Sequence, residues 1–141
     1  MTMDSGVDPH LIEDVRAGLR ARPRRLSSKY FYDERGSEIF RQIMRMPTYY
    51  LTDCEFEIFE THRVALHEAV TAPGSDFRLI EFGVGDGSKT KVLLEHFLSQ
   101  GTGFTFTPID ISGDALRQLA QTLADRFPDL AVEAVEDDYF R

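Results

Sequence analysis

Apolar residues in the first half of the chain recur at helical spacing, whereas in the second half they gather in short runs separated by helical stretches. Asp8-Pro9 has the form of an N-cap followed by proline in the first turn, and Leu11, Ile12, Val15 and Leu19 then share one face. That spacing predicts a helix stopped by Pro23. A second helix is predicted over Gly36–Met46, with Ile39, Phe40, Ile43 and Met44 on its inner side, ending before Pro47. Thr52 and Glu55 are spaced as a capping box. They open a third predicted helix with Phe56, Phe59 and Leu66 facing inward, broken at Pro73-Gly74.

Beyond Asp76 the period changes. Phe77–Phe82 is a short apolar run entering a glycine cluster, which predicts a strand. Ser88–Gln100 predicts a helix with Val92, Leu93, Phe97 and Leu98 inside, closed by Gly101 and Gly103. Phe104–Asp110 is a second predicted strand, Ser112 caps a helix running to about Phe127, and Leu130–Val135 is a third strand. The pattern is that of an α/β protein with two parts. A helical region covers residues 1–76, and residues 77–141 hold the first half of a Rossmann-like fold, a parallel βαβαβ sheet with right-handed crossovers. Three strands are about half of such a sheet. The chain is therefore expected to be truncated, to expose an apolar edge, and not to catalyse by itself.

Composition narrows the function classes. The 141 residues are 42% hydrophobic, including 11 Phe and 5 Tyr, which is enough for a packed core. A net charge of -8 argues against nucleic acid as a partner, and the local run Arg20-Ala-Arg-Pro-Arg-Arg25 reads as a solvated linker. Cys54 is the single cysteine, which excludes an intramolecular disulfide and a cysteine-based metal site. His10, His62, His67 and His96 fall on predicted helices without ligand spacing, so they are expected at the surface and no metal is expected. No apolar run is long enough for a membrane span and no signal core follows the polar amino terminus, so a cytoplasmic, soluble protein is expected.

The chemistry is carried by strand ends. Gly83, Gly85 and Gly87 sit between a predicted strand and a helix, where glycine allows a tight turn and close approach of a ligand to free N–H groups. Ser88 stands where a dinucleotide fingerprint needs its last glycine, which disfavours a nicotinamide-dependent oxidoreductase. Asp110 ends the next strand, where a carboxylate either accepts ribose hydroxyls or caps the helix that follows. Glu81 has three candidate partners: Lys89, Lys91, or backbone N–H groups of the loop. Glu136-Asp-Asp-Tyr139 offers an acid and an aromatic to frame a purine, or forms a solvated acidic turn. Together the strand ends describe a nucleoside site.

Three stretches carry a family resemblance: Lys29-Tyr-Phe-Tyr-Asp-Glu-Arg-Gly-Ser-Glu-Ile-Phe40, Met46-Pro-Thr-Tyr-Tyr-Leu-Thr52 with Glu55, and the glycine loop with Lys89-Thr90. With Pro108–Ser112 and Phe127–Leu130, they resemble the histidine Nα-methyltransferase family of ergothioneine biosynthesis, from about Val15 to the end. The resemblance implies S-adenosylmethionine as cofactor. It places Gly83 at the methionine part, Lys89 at its carboxylate, Asp110 at the ribose, and Asp138 with Tyr139 at the adenine. Gly85 and Gly87 complete the loop. It also implies that Tyr32 and Tyr49 face the amino-acid substrate, Tyr49 toward an imidazole and Tyr32 near the amine; packing is the alternative for both. Tyr139 stands where the family usually has Phe, and the loop reads Phe-Gly-Val-Gly-Asp-Gly where many relatives have Leu-Gly-Ser-Gly.

The expected activity is methyl transfer to the α-amino group of an amino acid, histidine first, up to trimethylhistidine. No residue is singled out as the general base. The alternatives are the same chemistry on another amino acid or small amine, and a cofactor-binding protein without catalysis.

Overall fold

The computed structural model describes residues 9–72 and 77–138. Helix α1 spans Pro9–Arg20. Its Asp8 cap lies outside the described residues. The chain then folds back against α1, because Arg25 N–H donates to the Gly18 carbonyl at 3.1 Å. A 3-10 turn follows at Ser28–Phe31.

Helix α2 spans Glu34–Met44 and starts two residues before the expected Gly36. Asp33 is the reason: its carboxylate accepts the Gly36 N–H at 2.7 Å and caps the helix. Helix α3 spans Leu51–Thr71. Tyr50 precedes it without a side-chain cap, so the expected capping box does not form. Thr52 lies in the first turn, and Glu55 is drawn off to an ion pair with Lys89.

Strand β1 spans Phe77–Phe82 and β2 spans Phe104–Asp110, joined by helix α4 over Thr90–Ser99. The strands pair in parallel from Phe77↔Phe104 to Phe82↔Ile109. Helix α5 spans Gly113–Arg126, capped by the Ser112 hydroxyl, which accepts the Ala115 N–H at 3.3 Å. The expected third strand is split into β3, Ala131–Val132, and β4, Val135–Glu136. Both pieces pair with β2 in one continuous register, Phe106↔Val132 and Ile109↔Val135. The interruption falls opposite Pro108. Phe106 turns its carbonyl to this side, accepting the Glu133 N–H at 2.9 Å, so Pro108 two residues on faces the same way and has no N–H to give.

The core lies between the sheet and the helices. Phe106, Leu123, Leu94 and Phe97 are essentially inaccessible. Phe77 stacks on Phe104 at 5.3 Å, and the Phe97 ring meets both edge-on. Leu94 was absent from the expected inner face of α4. It is buried because that helix is covered on two sides, by the sheet and by α3. The same α3–α4 packing overturns the surface expectation for two histidines. His67 and His96 are half-buried with ring centroids 5.6 Å apart, and His67 Nε2 is hydrogen-bonded to Thr102 Oγ1 at 2.6 Å. His10 and His62 are exposed. No helix among the described residues is long and apolar enough to cross a membrane.

Helix α4 begins at Thr90 rather than Ser88, because Asp86 Oδ1 holds the Ser88 N–H at 2.9 Å and extends the turn. Gly85 and Gly87 of that turn both have positive φ, at 57° and 62°. A Cβ on Gly85 would meet nothing within 4 Å, whereas one on Gly87 would fall 2.6 Å from Cδ1 of the buried Leu119. Gly85→Ala should therefore cost only the backbone strain, about 1 kcal/mol. Gly87→Ala should cost about 2–4 kcal/mol, since Leu119 must also shift. Urea unfolding of the two variants measures the gap; equal losses would show that Leu119 yields freely.

Candidate functional site

All three loop glycines turn through positive φ, Gly83 at 67° among them. The loop is pinned at its start, where Gly83 N–H donates to the Ile109 carbonyl at 2.8 Å, and closed where Gly87 N–H donates to Val84 at 3.0 Å. Val84 is buried, which anchors the loop from below.

Asp110 sits at the carboxyl end of β2 and is 8% exposed. One carboxylate oxygen accepts the Gly85 N–H at 3.0 Å and the other accepts the Ser112 N–H at 2.9 Å. Helix capping, the alternative role for Asp110, is performed by the Ser112 hydroxyl. Asp110 instead braces two loops at once. Each of its oxygens keeps a further lone pair for a ligand hydroxyl.

Glu81 takes none of its three expected partners. It accepts the Thr90 hydroxyl. Lys89 pairs with Glu55, and Lys91 Nζ donates to the Asp86 carbonyl at 3.1 Å. Burial pushes the Glu81 carboxyl above its ordinary value; the Thr90 hydrogen bond and the Lys89 charge oppose this, and the Glu55 and Asp110 charges add to it.

A cavity of about 790 Å³ lies between these strand ends and the helical region. This is within the size range of small-molecule sites. Gly83, Gly85, Lys89, Asp110 and Asp138 form one wall. Lys29, Tyr32, Phe40 and Arg41 form the facing wall. The structure thus brings together most of the residues expected at the site. Gly87 lies beneath the loop against Leu119, and Tyr139 is outside the described residues. Tyr49 does not line the cavity: its ring stands edge-on to Phe40 at 6.1 Å, and Tyr32 meets the same Phe40 at 6.3 Å. Glu81 also lies off the wall, so its raised pKa does not mark a base facing the cavity. Among the described residues no cluster of three or more His, Cys, Asp and Glu is placed to hold a metal ion.

Lys29, Arg41 and Glu55 were not expected at the site. Arg41 gives Nη2 to Glu38 at 2.9 Å, while its buried Nε has no partner and remains a donor beside the cavity. Arg41 adjoins Phe40 on α2, so helical periodicity alone could have flagged its position but not its direction.

The residues fit a nucleoside bearing an amino-acid tail. Gly85 leaves room for close approach, Asp110 offers acceptors to a ribose, and Lys89 offers an ammonium to a carboxylate.

A family model described as histidine-specific methyltransferase, S-adenosylmethionine-dependent, matches residues 11–141. The chain is 37% identical over 129 residues to a histidine N-alpha-methyltransferase of Mycolicibacterium smegmatis, covering 92% of this chain and 39% of that protein. It is 30% identical over 118 residues to an N-methyltransferase of Aspergillus fumigatus, covering 84% and 31%. A third relative, ergothioneine biosynthesis protein 1 of Schizosaccharomyces pombe, is 31% identical over 98 residues, covering 70% and 13%. The chain thus spans well under half the length of these relatives.

Glu81 makes a pH prediction. Its folded pKa lies above the unfolded one, so its contribution to stability is complete below the unfolded value and is lost as pH rises through the raised folded value. Glu81→Gln removes that loss. The stability of the variant relative to the parent should therefore increase as pH rises from below the ordinary carboxylate value through the raised folded one. Urea unfolding across that range tests it, and a pH-independent difference would sink the idea.

Proposed function

The chain belongs to the histidine-specific, S-adenosylmethionine-dependent methyltransferase family, and we propose that it contributes the cofactor site and part of the acceptor site of an amino-acid N-methyltransferase. The observation that carries the reading is the single cavity bounded by the glycine loop and Asp110 on one side and by Tyr32 and Phe40 on the other. Transfer between two small molecules needs both held in one space at fixed orientation.

When bound, S-adenosylmethionine supplies an electrophilic methyl group on its sulfonium. The chain's residues supply grip and alignment. Gly83, Gly85 and Gly87 shape the backbone against the methionine part, and Lys89 meets its carboxylate. Asp110 accepts the ribose hydroxyls, and Asp138 with Tyr139 holds the adenine. Tyr32 and Tyr49 bear on the acceptor, Tyr32 from the cavity wall and Tyr49 through Phe40. We assign histidine as the acceptor, methylated at its α-amino nitrogen up to trimethylhistidine. Support comes from the family description and from the Mycolicibacterium relative. Because the Aspergillus relative is named only as an N-methyltransferase, an acceptor panel should include other amino acids.

Two tests follow on the full-length protein. Asp110→Asn and Asp110→Ala should weaken S-adenosylhomocysteine binding by roughly 30- to 150-fold, which is about 2–3 kcal/mol for hydrogen bonds to a charged group. Calorimetric titration reads this, with circular dichroism to confirm folding; unchanged affinity in a folded variant would remove the ribose role. Tyr32→Phe should raise KM for histidine while leaving the S-adenosylhomocysteine titration and Tm nearly unaltered, and Tyr49→Leu, which removes the ring that meets Phe40, should raise the same KM. A fall in Tm with unaltered kinetics would instead assign both rings to packing.

A further inference from the structure

Two residues of the strand-end wall are each tied to the helical region by an ion pair. Lys29, in the 3-10 turn, places Nζ 3.6 Å from Oδ2 of Asp138, beyond β4. Glu55, in the second turn of α3, pairs with the Nζ of Lys89 just ahead of α4. Lys29, Lys89 and Asp138 line the cavity, and Glu55 does not. Lys29 is itself fixed from α1: Asp14 Oδ2 lies 2.8 Å from its Nζ and accepts the Tyr30 hydroxyl at 2.7 Å. Lys29 and Glu55, both from the N-terminal motifs, thus meet the residues assigned to opposite ends of the cofactor.

We propose that Lys29 and Glu55 are positioning residues, Lys29 orienting Asp138 at the base end and Glu55 orienting Lys89 at the amino-acid end, so that the helical region completes the cofactor cradle. The inference rests on the cofactor reading above. A lysine ammonium rides on four flexible carbons, and an ion pair removes much of that freedom before a ligand arrives. Pairing with Glu55 uses one of the three Lys89 donors and leaves two for a carboxylate. The side chains of Lys29 and Asp138 are only 22% and 17% exposed, so solvent screens that pair incompletely.

Double-mutant cycles on S-adenosylhomocysteine affinity, read by calorimetry on the full-length protein, test the proposal. Glu55→Gln and Lys29→Met should each weaken binding ~3- to 5-fold, and Glu55→Asp and Lys29→Arg should recover most of the loss. The effect of Glu55→Gln should vanish in a Lys89→Met background, and that of Lys29→Met in an Asp138→Asn background. A purely structural role would lower Tm without producing this coupling. Additive effects, or unaltered affinity in the single variants, overturn the proposal. Should Lys29→Met fail to fold, the Glu55–Lys89 cycle decides alone. A parent protein that does not bind S-adenosylhomocysteine overturns the cofactor reading and this inference with it, whereas a binding parent with unaltered variants overturns only the inference.

Discussion

The carboxylate of Asp110 holds the site together. One buried side chain at the end of β2 accepts N–H groups from the glycine loop after β1 and from the turn before α5. Those turns belong to different crossovers, and without a shared acceptor their relative position would depend on strand register alone. Hydrogen bonds to an ionised acceptor are the stronger kind, and a buried carboxylate left without them would be costly. The same requirement that satisfies Asp110 therefore fixes the geometry of the cavity floor. A group that must be braced to be buried becomes the brace.

The facing wall obeys a different constraint. At the cavity the helical region meets the strand ends through charge, at Lys29–Asp138 and Glu55–Lys89. Interfaces of this polar kind hold less tightly than an apolar core, which suits a wall that must admit a ligand. The firm apolar packing lies elsewhere, at Phe97, Leu94 and Phe106 beneath the sheet. Stability and ligand access are thereby assigned to separate layers.

The sequence was most legible where its signals are local. The bounds of β1 and β2 follow from apolar runs ended by glycine and acid, and Ser112 caps α5 as its type and position require. Where it misled, the decisive partner was distant. Thr52 and Glu55 have capping-box spacing, but Glu55 is claimed by Lys89, 34 residues away. The split of the third strand is written in Pro108 of its neighbour, which no inspection of residues 130–135 alone would reveal. Likewise His67 and His96 read as surface residues on separate helices, and only the packing of α3 on α4 brings them together. Of the site itself, the residue types were evident but their contacts were not: Lys29 belonged to a quoted motif, yet nothing local pointed it at Asp138.

The glycine loop shows how local chemistry and distant packing combine. Its glycines share positive φ, so the sequence alone treats them as equivalent. The fold separates them. Gly85 faces open space and gives its N–H to Asp110, which makes it the point where backbone and ligand can approach. Gly87 faces inward onto Leu119 of α5, where any Cβ would collide with the core. The loop therefore cannot rise or sink without moving α5, and α5 is tied through the Ser112 N–H to Asp110 again. Two glycines two residues apart thus close a mechanical circuit, one by donating to the brace and one by resting on the helix that the brace also holds. A loop seated in this way holds its open face at Gly85 in place before a ligand arrives, which lowers the ordering cost of binding.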